Sequence, residues 1–299
     1  AFMKSSSDAG SLRLANSVWL RDDGERLSVE GSFLYECANS YGAQVYAEPF
    51  DKTTLKKINR WVEEKTDKMI KDILDGVGDD SIMYILNATA FSADWEDEFL
   101  TANTHEKRFT NIDGSTSAVQ MMNGSADCYM ENENCTGFAK MYKGENYYFA
   151  ALLPNGDISK FVKGLGTKDG AEEVMGLLKS KEYRFTSVTV PKFSAEYAAD
   201  LIPPLSSMGI KSAFDPAAAD FSGMAKSNEG NVFIGRVTQK SRIDVTEKGT
   251  KAASATLVDV MGSAAQDEKR VTLDRPFIYM IVDAATDIPV FIGAVNSVS

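Results

Sequence analysis

Apolar and polar positions follow two different periods along this chain, which indicates a mixture of strands and helices. Residues 12–20 partly alternate and are typical of a strand, which the turn at residues 22–24 ends. Residues 53–74 carry one apolar stripe at helical spacing, with charged residues on the opposite face. Residues 81–91 form an apolar run that suits a buried strand.

The rest of the chain continues this mixture without a strict alternation of strand and helix. Further strands are predicted at residues 44–46, 147–154, 183–193, 232–245, 277–282 and 290–295. Further helices are predicted at residues 29–40, 158–164, 171–180 and 198–209. No internal repeat or linker is visible, so we predict a single α+β domain over residues 1–299.

Composition excludes several classes of partner. The net charge of −11 argues against a nucleic-acid partner, because binding to phosphates needs a basic surface. No apolar run approaches the length of a membrane span, so we expect no membrane partner. The three cysteines, Cys37, Cys128 and Cys135, do not form the pattern of a disulfide framework. We expect free thiols, with a Cys128–Cys135 disulfide as the alternative.

Candidate catalytic residues are few. His105 is the only histidine, so a Ser-His-Asp or Cys-His triad would have to use it, and no nucleophile motif accompanies it. The spacing of Cys128 and Cys135 does not suit a zinc site. Acidic pairs at residues 79–80 and 96–97 are unremarkable in a chain with 43 acidic residues. We expect a surface position for His105 and no catalytic residue, metal or cofactor; a hydrolase that uses His105 is the weaker alternative.

The segment after the strand predicted at residues 232–245 has an ambiguous composition. It is almost free of the large apolar residues that anchor a core helix and poor in the residues that mark a committed loop. Composition alone favours an exposed surface loop from Glu247 to about Arg270. If the segment became a strand, small side chains would share one face and could enter a packed sheet: Thr250, Ala252, Ser254 and Thr256.

Several stretches of this chain resemble the serpin family. Residues 247–256, E-K-G-T-K-A-A-S-A-T, look like the hinge of the inhibitory serpins. The family's N-x-x-x-F-x-x-x-W-x-x-x-F segment is matched by Asn87, Phe91, Trp95 and Phe99. Further stretches match the family in order and spacing: residues 190–193, 205–224, 271–281 and 291–296. The resemblance therefore extends from about residue 12 to residue 296.

This resemblance implies a fold and a function. The fold would be α+β, with a large central mixed sheet, smaller sheets, surrounding helices and an exposed reactive-centre loop at residues 247–270. The function would be that of a suicide-substrate inhibitor, in which a serine protease forms a covalent acyl-enzyme and the cut loop inserts into the sheet. The expected inhibitor is a secreted or extracellular monomer and not an enzyme. A serpin that does not inhibit, such as a chaperone, carrier or storage protein, is the alternative.

The resemblance also assigns site residues. The loop hinge would consist of Glu247, Gly249, Thr250, Ala252, Ala253, Ser254, Ala255 and Thr256. The region where the sheet opens would contain Asn87, Phe91, Trp95 and Gln239. Counted from Glu247, the reactive bond would join Ser263 and Ala264. The small apolar residues around that bond suit an elastase-like target, with subtilisin-like enzymes next. A chymotrypsin-like enzyme would use Met261, whereas a trypsin-like one would need Lys269 or Arg270, which lie too near the following strand for a full-length insertion.

Three features depart from the family pattern. The first helices of the family have no counterpart, so we expect that the chain begins inside a longer gene product or that those helices were cleaved. Gln239 stands where a histidine that bonds the equivalent of Asn87 is usual, and Lys251 stands where glutamate is common. Asn87 and Asn134 both begin N-x-[ST] sequons, and we expect Asn87 to be buried.

Overall fold

A computed structural model of the chain describes residues 12–22, 24, 26–78, 81–228, 230–250 and 269–298. Their contacts define two compact units. The first unit lies within Ala1–Phe91 and Glu196–Ile243, and the second within Ser92–Ala195 and Asp244–Ser299. Both contain mixed strands and helices, and the predicted α+β class is confirmed. That residues 1–299 fold as a single domain stays a prediction.

The described strands are numbered in chain order. They are β1 (Leu12–Arg21), β2 (Leu27–Val29), β3 (Ala43–Glu48), β4 (Met83–Phe91), β5 (Ala93–Asp94), β6 (Thr104–Thr110), β7 (Thr116–Glu131), β8 (Cys135–Met141), β9 (Tyr147–Pro154), β10 (Glu182–Pro191), β11 (Phe193–Asp200), β12 (Ala225–Ser227), β13 (Ile234–Thr246), β14 (Gly249–Thr250), β15 (Lys269–Thr272), β16 (Phe277–Asp283) and β17 (Ile288–Val295). The described helices are α1 (Gly31–Ser40), α2 (Lys52–Lys65), α3 (Ile158–Leu165), α4 (Lys168–Lys179) and α5 (Ile202–Ser207), with 3₁₀ turns at Thr101–Asn103 and Ser212–Phe214.

The sheet of the first unit has the strand order β3-β1-β4-β13, and β11 also pairs with β13. Strand β4 runs antiparallel to β1 and parallel to β13. Asp51 caps the N-terminus of helix α2, and its carboxylate accepts hydrogen bonds from the backbone N–H groups of Thr53 and Thr54. Its apolar face contributes Trp61 to a core with Trp19, whose ring lies edge-on at 6.3 Å between centroids.

The second unit contains an eight-stranded sheet with the order β15-β10-β7-β8-β9-β16-β17, in which β6 also pairs with β7. Every residue of β9 is buried, which explains its continuous apolar sequence. Helices α3 and α4 pack on this sheet through Ile158, Val174, Leu177 and Leu178.

Two helix predictions are wrong in extent. The helix predicted over residues 53–74 ends at Lys65, because Asp67 and Lys68 adopt positive φ angles of 51° and 61°. The apolar stripe continues without helix, since Asn59 accepts from the backbone N–H groups of Ile73 and Leu74 and holds that segment against α2. The helix predicted over residues 198–209 shrinks to Ile202–Ser207, because β11 extends to Asp200.

Two further expectations, on the cysteines and on His105, can be compared with the described residues. All three cysteines are buried and free, which confirms free thiols and excludes the Cys128–Cys135 disulfide in this structure. His105 is exposed on β6, as predicted. In the described ranges, no helix has the length and apolarity to cross a membrane, and no cluster of three or more His, Cys, Asp or Glu side chains is arranged to hold a metal ion.

Candidate functional site

The described part of the predicted hinge, residues 247–250, lies in the second unit and consists of a tight turn followed by a short strand. Gly249 and Thr250 form β14, which runs antiparallel to the end of β13, with Val245 opposite Thr250. On its other side, β14 runs antiparallel to β5, with Ala93 opposite Thr250. The first residues of the loop are thus already held as a short strand between two neighbours.

The remaining predicted loop residues lie outside the described residues. They are Ala252, Ala253, Ser254, Ala255 and Thr256 of the hinge and Ser263 and Ala264 of the reactive bond. These assignments stay predictions.

Gly249 is required by the geometry of β14. Its φ angle is +152°, and a Cβ atom added there would lie 2.2 Å from the carbonyl oxygen of Ala93 and 2.6 Å from the Cα of Asp94. Both of these atoms belong to the backbone of β5, so they cannot move aside as a flexible side chain could. The glycine therefore permits the close approach of β14 and β5.

Thr250 is fully buried and makes one side-chain contact that locates it within the core. Its hydroxyl oxygen lies 2.8 Å from the hydroxyl oxygen of Tyr142, which follows β8. Tyr142 in turn stacks on Trp95, with ring centroids 4.5 Å apart and an interplanar angle of 10°. Thr250, the first inward-facing residue of the loop, therefore contacts this aromatic pair through Tyr142.

Trp95 and Phe99 hold the turn that joins β13 to β14. The indole N–H of Trp95 donates to the carbonyl oxygen of Thr246 at 2.9 Å. The backbone N–H of Trp95 donates to the carbonyl of Lys248, and that of Phe99 donates to the carbonyl of Glu247, each at 2.8 Å. Three consecutive carbonyls of the turn are therefore fixed by two aromatic residues.

Glu247 is buried and forms an ion pair at the edge of this turn. Its carboxylate accepts from the Lys192 ammonium at 2.9 and 3.1 Å. Burial by itself raises the pKa of the Glu247 carboxyl, but the hydrogen bonds and charge of Lys192 outweigh it, so the pKa lies below its ordinary value. Glu247 is therefore ionised at neutral pH and bonded to a cation.

The other residues predicted for the sheet-opening region lie in the first unit, whereas Trp95 lies in the second. Phe91 is fully buried at the end of β4. Asn87 and Gln239 stand opposite each other in the parallel register of β4 and β13. The Asn87 amide donates to the Oδ1 of Asn16 at 2.7 Å on the neighbouring strand β1. Among the described residues, no side-chain hydrogen bond joins Asn87 to Gln239.

The expectation that Asn87 is buried is wrong in degree, since this residue is only partly buried. Asn134 is exposed in the turn between β7 and β8, where its side-chain amide donates to Glu173 at 2.7 Å.

Sequence reasoning missed two residues of the site. Lys192 lies in one of the stretches that resemble the serpin family, but its ion pair with Glu247 was not predicted from that position. Tyr142 lies 108 residues before Thr250, and nothing in its local sequence indicates the contact. Only the tertiary structure brings both side chains to the turn.

Comparison with known proteins places this geometry in a family. The family profile described as "Serpin (serine protease inhibitor)" matches residues 2–298. A serpin-like protein of Methanosarcina acetivorans is 31% identical over 302 residues, which cover 98% of this chain and 69% of that protein. Human Serpin B4 is also 31% identical, over 98% of this chain and 76% of its own length.

Solved structures give the same result. The thermophilic serpin tengpin in its native state is 38% identical with a TM-score of 0.89, covering 96% of this chain and 73% of tengpin. Tengpin in its latent state has a TM-score of 0.80 at 35% identity, covering 96% of this chain and 76% of that one.

Proposed function

Since the chain belongs to the serpin family, we propose that it inhibits a serine-type endopeptidase as a suicide substrate. The active-site serine of the target attacks the carbonyl carbon of Ser263, and the peptide bond to Ala264 breaks. An ester then joins the protease to Ser263, and Ala264 becomes a new N-terminus. Residues 251–263 insert between β4 and β13 before water can hydrolyse the ester.

The observation that carries this proposal is the position of β14. Its Thr250 is buried and paired on both sides, antiparallel to β13 and to β5. Insertion of the loop would continue this short strand in the same direction. The extension would form on the order of ten backbone hydrogen bonds at roughly 1 kcal/mol net each, so a cut loop has a large driving force to enter the sheet.

The hinge composition favours inhibition over a carrier, chaperone or storage role. Ala252, Ala253, Ser254, Ala255 and Thr256 are all small. Small side chains enter a packed sheet without overfilling it. The family in general is described as one of serine protease inhibitors.

The target class follows from the proposed bond. The small, largely apolar neighbourhood of Ser263 suits a protease with a small hydrophobic pocket, so we propose an elastase-like enzyme, with subtilisin-like enzymes next. Incubation of the protein with elastase should give a complex that survives SDS. Mass spectrometry of the released C-terminal peptide should find Ala264, or a neighbour within two residues, as the new N-terminus.

Two outcomes would contradict these assignments. Cleavage by every protease of a panel, without a stable complex, would favour a serpin that does not inhibit. A complex with trypsin and a new N-terminus at Val271, with elastase untouched, would overturn the proposed bond and the target class.

The variant Thr250→Arg is the control for insertion, because a charged side chain at a fully buried position should leave cleavage intact and abolish the complex.

A further inference from the structure

Lys140 is a lysine buried in the aromatic core of the second unit. It lies in β8 and only 3% of it is exposed to solvent. Side chains alternate along a strand, so Lys140 shares a face with Phe138 and with Tyr142 just beyond the strand. The sequence thus places a charged group in a row of aromatic residues, where an apolar side chain would avoid the desolvation penalty.

The Lys140 ammonium group is held by one carbonyl and two aromatic rings. Nζ donates to the carbonyl oxygen of Ser125 at 2.8 Å. It lies 4.9 Å from the ring centroid of Phe99 and 5.9 Å from that of Trp95. Both distances fall within the range in which the negative face of a ring attracts a cation.

Besides Lys140, the Phe99 ring has two further neighbours that confine it. It lies directly on Gly124 of β7, where an added Cβ would come to 2.7 Å from Cδ1 of the ring. Phe99 also packs edge-on against Trp95, with centroids 6.1 Å apart. The ring is therefore confined between the glycine backbone, the indole of Trp95 and the ammonium group.

Two carboxylates act on Lys140 from the elements packed around it. Asp127 lies on β7, where its Oδ2 accepts from the backbone N–H of Met141 at 2.8 Å, and Asp97 lies in the segment after β5. Burial lowers the pKa of Lys140 to about 8, against the opposing effect of these two carboxylates. The charge on this group therefore changes in mildly alkaline solution.

We propose that Lys140 is a positioning residue for the loop hinge, and that its charged ammonium group fixes the Trp95 and Phe99 side chains that hold the turn at residues 246–248. These are the residues whose N–H groups bond the carbonyls of Thr246, Glu247 and Lys248. A neutral amine loses the attraction to both rings, and the turn loosens.

The effect on inhibition rests on the proposed function. A firmly held turn makes β14 the fixed start from which the inserting strand extends. A loosened turn delays insertion, so more acyl-enzyme is hydrolysed and more inhibitor is consumed for each protease molecule trapped. The number of inhibitor molecules consumed should therefore rise as Lys140 loses its proton.

Amide hydrogen exchange of the uncleaved protein tests the positioning role directly. After correction for intrinsic rates, exchange in the peptide that contains residues 246–250 should rise about threefold between pH 7 and pH 9 in the wild type. Lys140→Arg, charged throughout, should stay at the slow level, and Lys140→Met, neutral throughout, should stay at the fast level. Lys160→Met removes an exposed lysine and should follow the wild type.

Equal exchange profiles in the wild type and in Lys140→Met would overturn the proposal, even if Lys140→Arg fails to fold. The number of inhibitor molecules consumed per trapped protease, measured for each variant at both pH values, then tests the link to inhibition. If no variant forms a complex at either pH, the proposed function fails, while the exchange profiles still decide the role of Lys140. If complexes form but depend on pH equally in all variants, the link between Lys140 and insertion is wrong.

Discussion

Tyr142 and Thr250 share a buried hydrogen bond, with their hydroxyl oxygens 2.8 Å apart. Burial strongly raises the pKa of the Tyr142 phenol, so this hydroxyl stays protonated and can donate to Thr250 or accept from it. The bond joins the first inward-facing residue of the loop to an aromatic residue of the core. The strength of this bond therefore reports how stably the first loop residue is held in the sheet.

Removing the hydrogen bond between Tyr142 and Thr250 should lower the stability of the hinge without preventing loop insertion. Thr250→Val and Tyr142→Phe each remove the hydrogen bond between the two hydroxyls and should each cost about 1 to 3 kcal/mol of unfolding free energy. The double variant should cost less than the sum by about 1 kcal/mol, because the bond between the two hydroxyls can be lost only once. Denaturant unfolding of the four proteins measures the coupling, and strictly additive losses would show that the two hydroxyls do not interact.

The ion pair between Glu247 and Lys192 should make hinge stability depend on pH. We expect Glu247→Gln to lose about 0.5 to 1 kcal/mol at neutral pH, a small value because the Lys192 side chain is 38% exposed. Since the folded-state pKa of Glu247 is lowered, this contribution is complete above the unfolded value of about 4.3 and is lost as pH falls through the folded pKa.

Unfolding of the wild type and Glu247→Gln across this range checks the sign. The difference between them should shrink only on the acid side of about pH 4.3. Lys192→Gln, which removes the other partner of the ion pair, is measured in the same series for comparison. A difference that grows on acidification would contradict the pair.

Gly249→Ala should be strongly destabilising, by about 2 kcal/mol or more, because it combines a disfavoured φ with a clash against the backbone of β5. Gly176→Ala provides a control of the opposite sign. That glycine lies at an exposed position in α4 with nothing within 4 Å of an added Cβ, so alanine should stabilise the helix by about 0.5 to 1 kcal/mol. Thermal melting of both variants measures the pair, and equal shifts would show that Gly249 is not needed for the turn.

The thiols should be unreactive in the folded protein. Burial raises the pKa of Cys128 and of Cys135 to about 11, and it also raises the pKa of Cys37. At pH 8, iodoacetamide should leave Cys128 and Cys135 unmodified in the native protein and should label all three cysteines in denaturant. Peptide mass spectrometry identifies the labelled sites, and rapid labelling of Cys128 in the native state would contradict its burial.

Long apolar runs made much of the fold predictable. The strand predicted at residues 147–154 matches β9, and the helix predicted at residues 158–164 is one residue shorter than α3. The longest described strand, β7, was missed, together with β6 and β8. Serine, asparagine and glycine interrupt the apolar alternation in β7, and its pairing with β6, β8 and β10 is a property of the tertiary structure.

The candidate site was predictable only where a motif carried it. Glu247, Gly249 and Thr250 were assigned through the serpin resemblance, and the structure places them in one turn. Lys140 gave no such signal, because a lysine destined for an aromatic core has the same local sequence properties as one at the surface. Its role depends on Phe99 and Trp95, which reach it only through the packing of separate elements.

The length of strand β13 sets how many loop residues could pair with it in the proposed insertion. Val245 faces Thr250 in an antiparallel register, so each residue further along the loop would meet the residue one step further back along the strand. On that count Met261 would meet Ile234, where β13 begins. A protease attached at Ser263 would then be carried roughly 40 Å from the turn, at about 3.4 Å for each paired residue. Shortening or lengthening β13 should therefore change which bond gives a stable trap, independently of the amino acids around that bond.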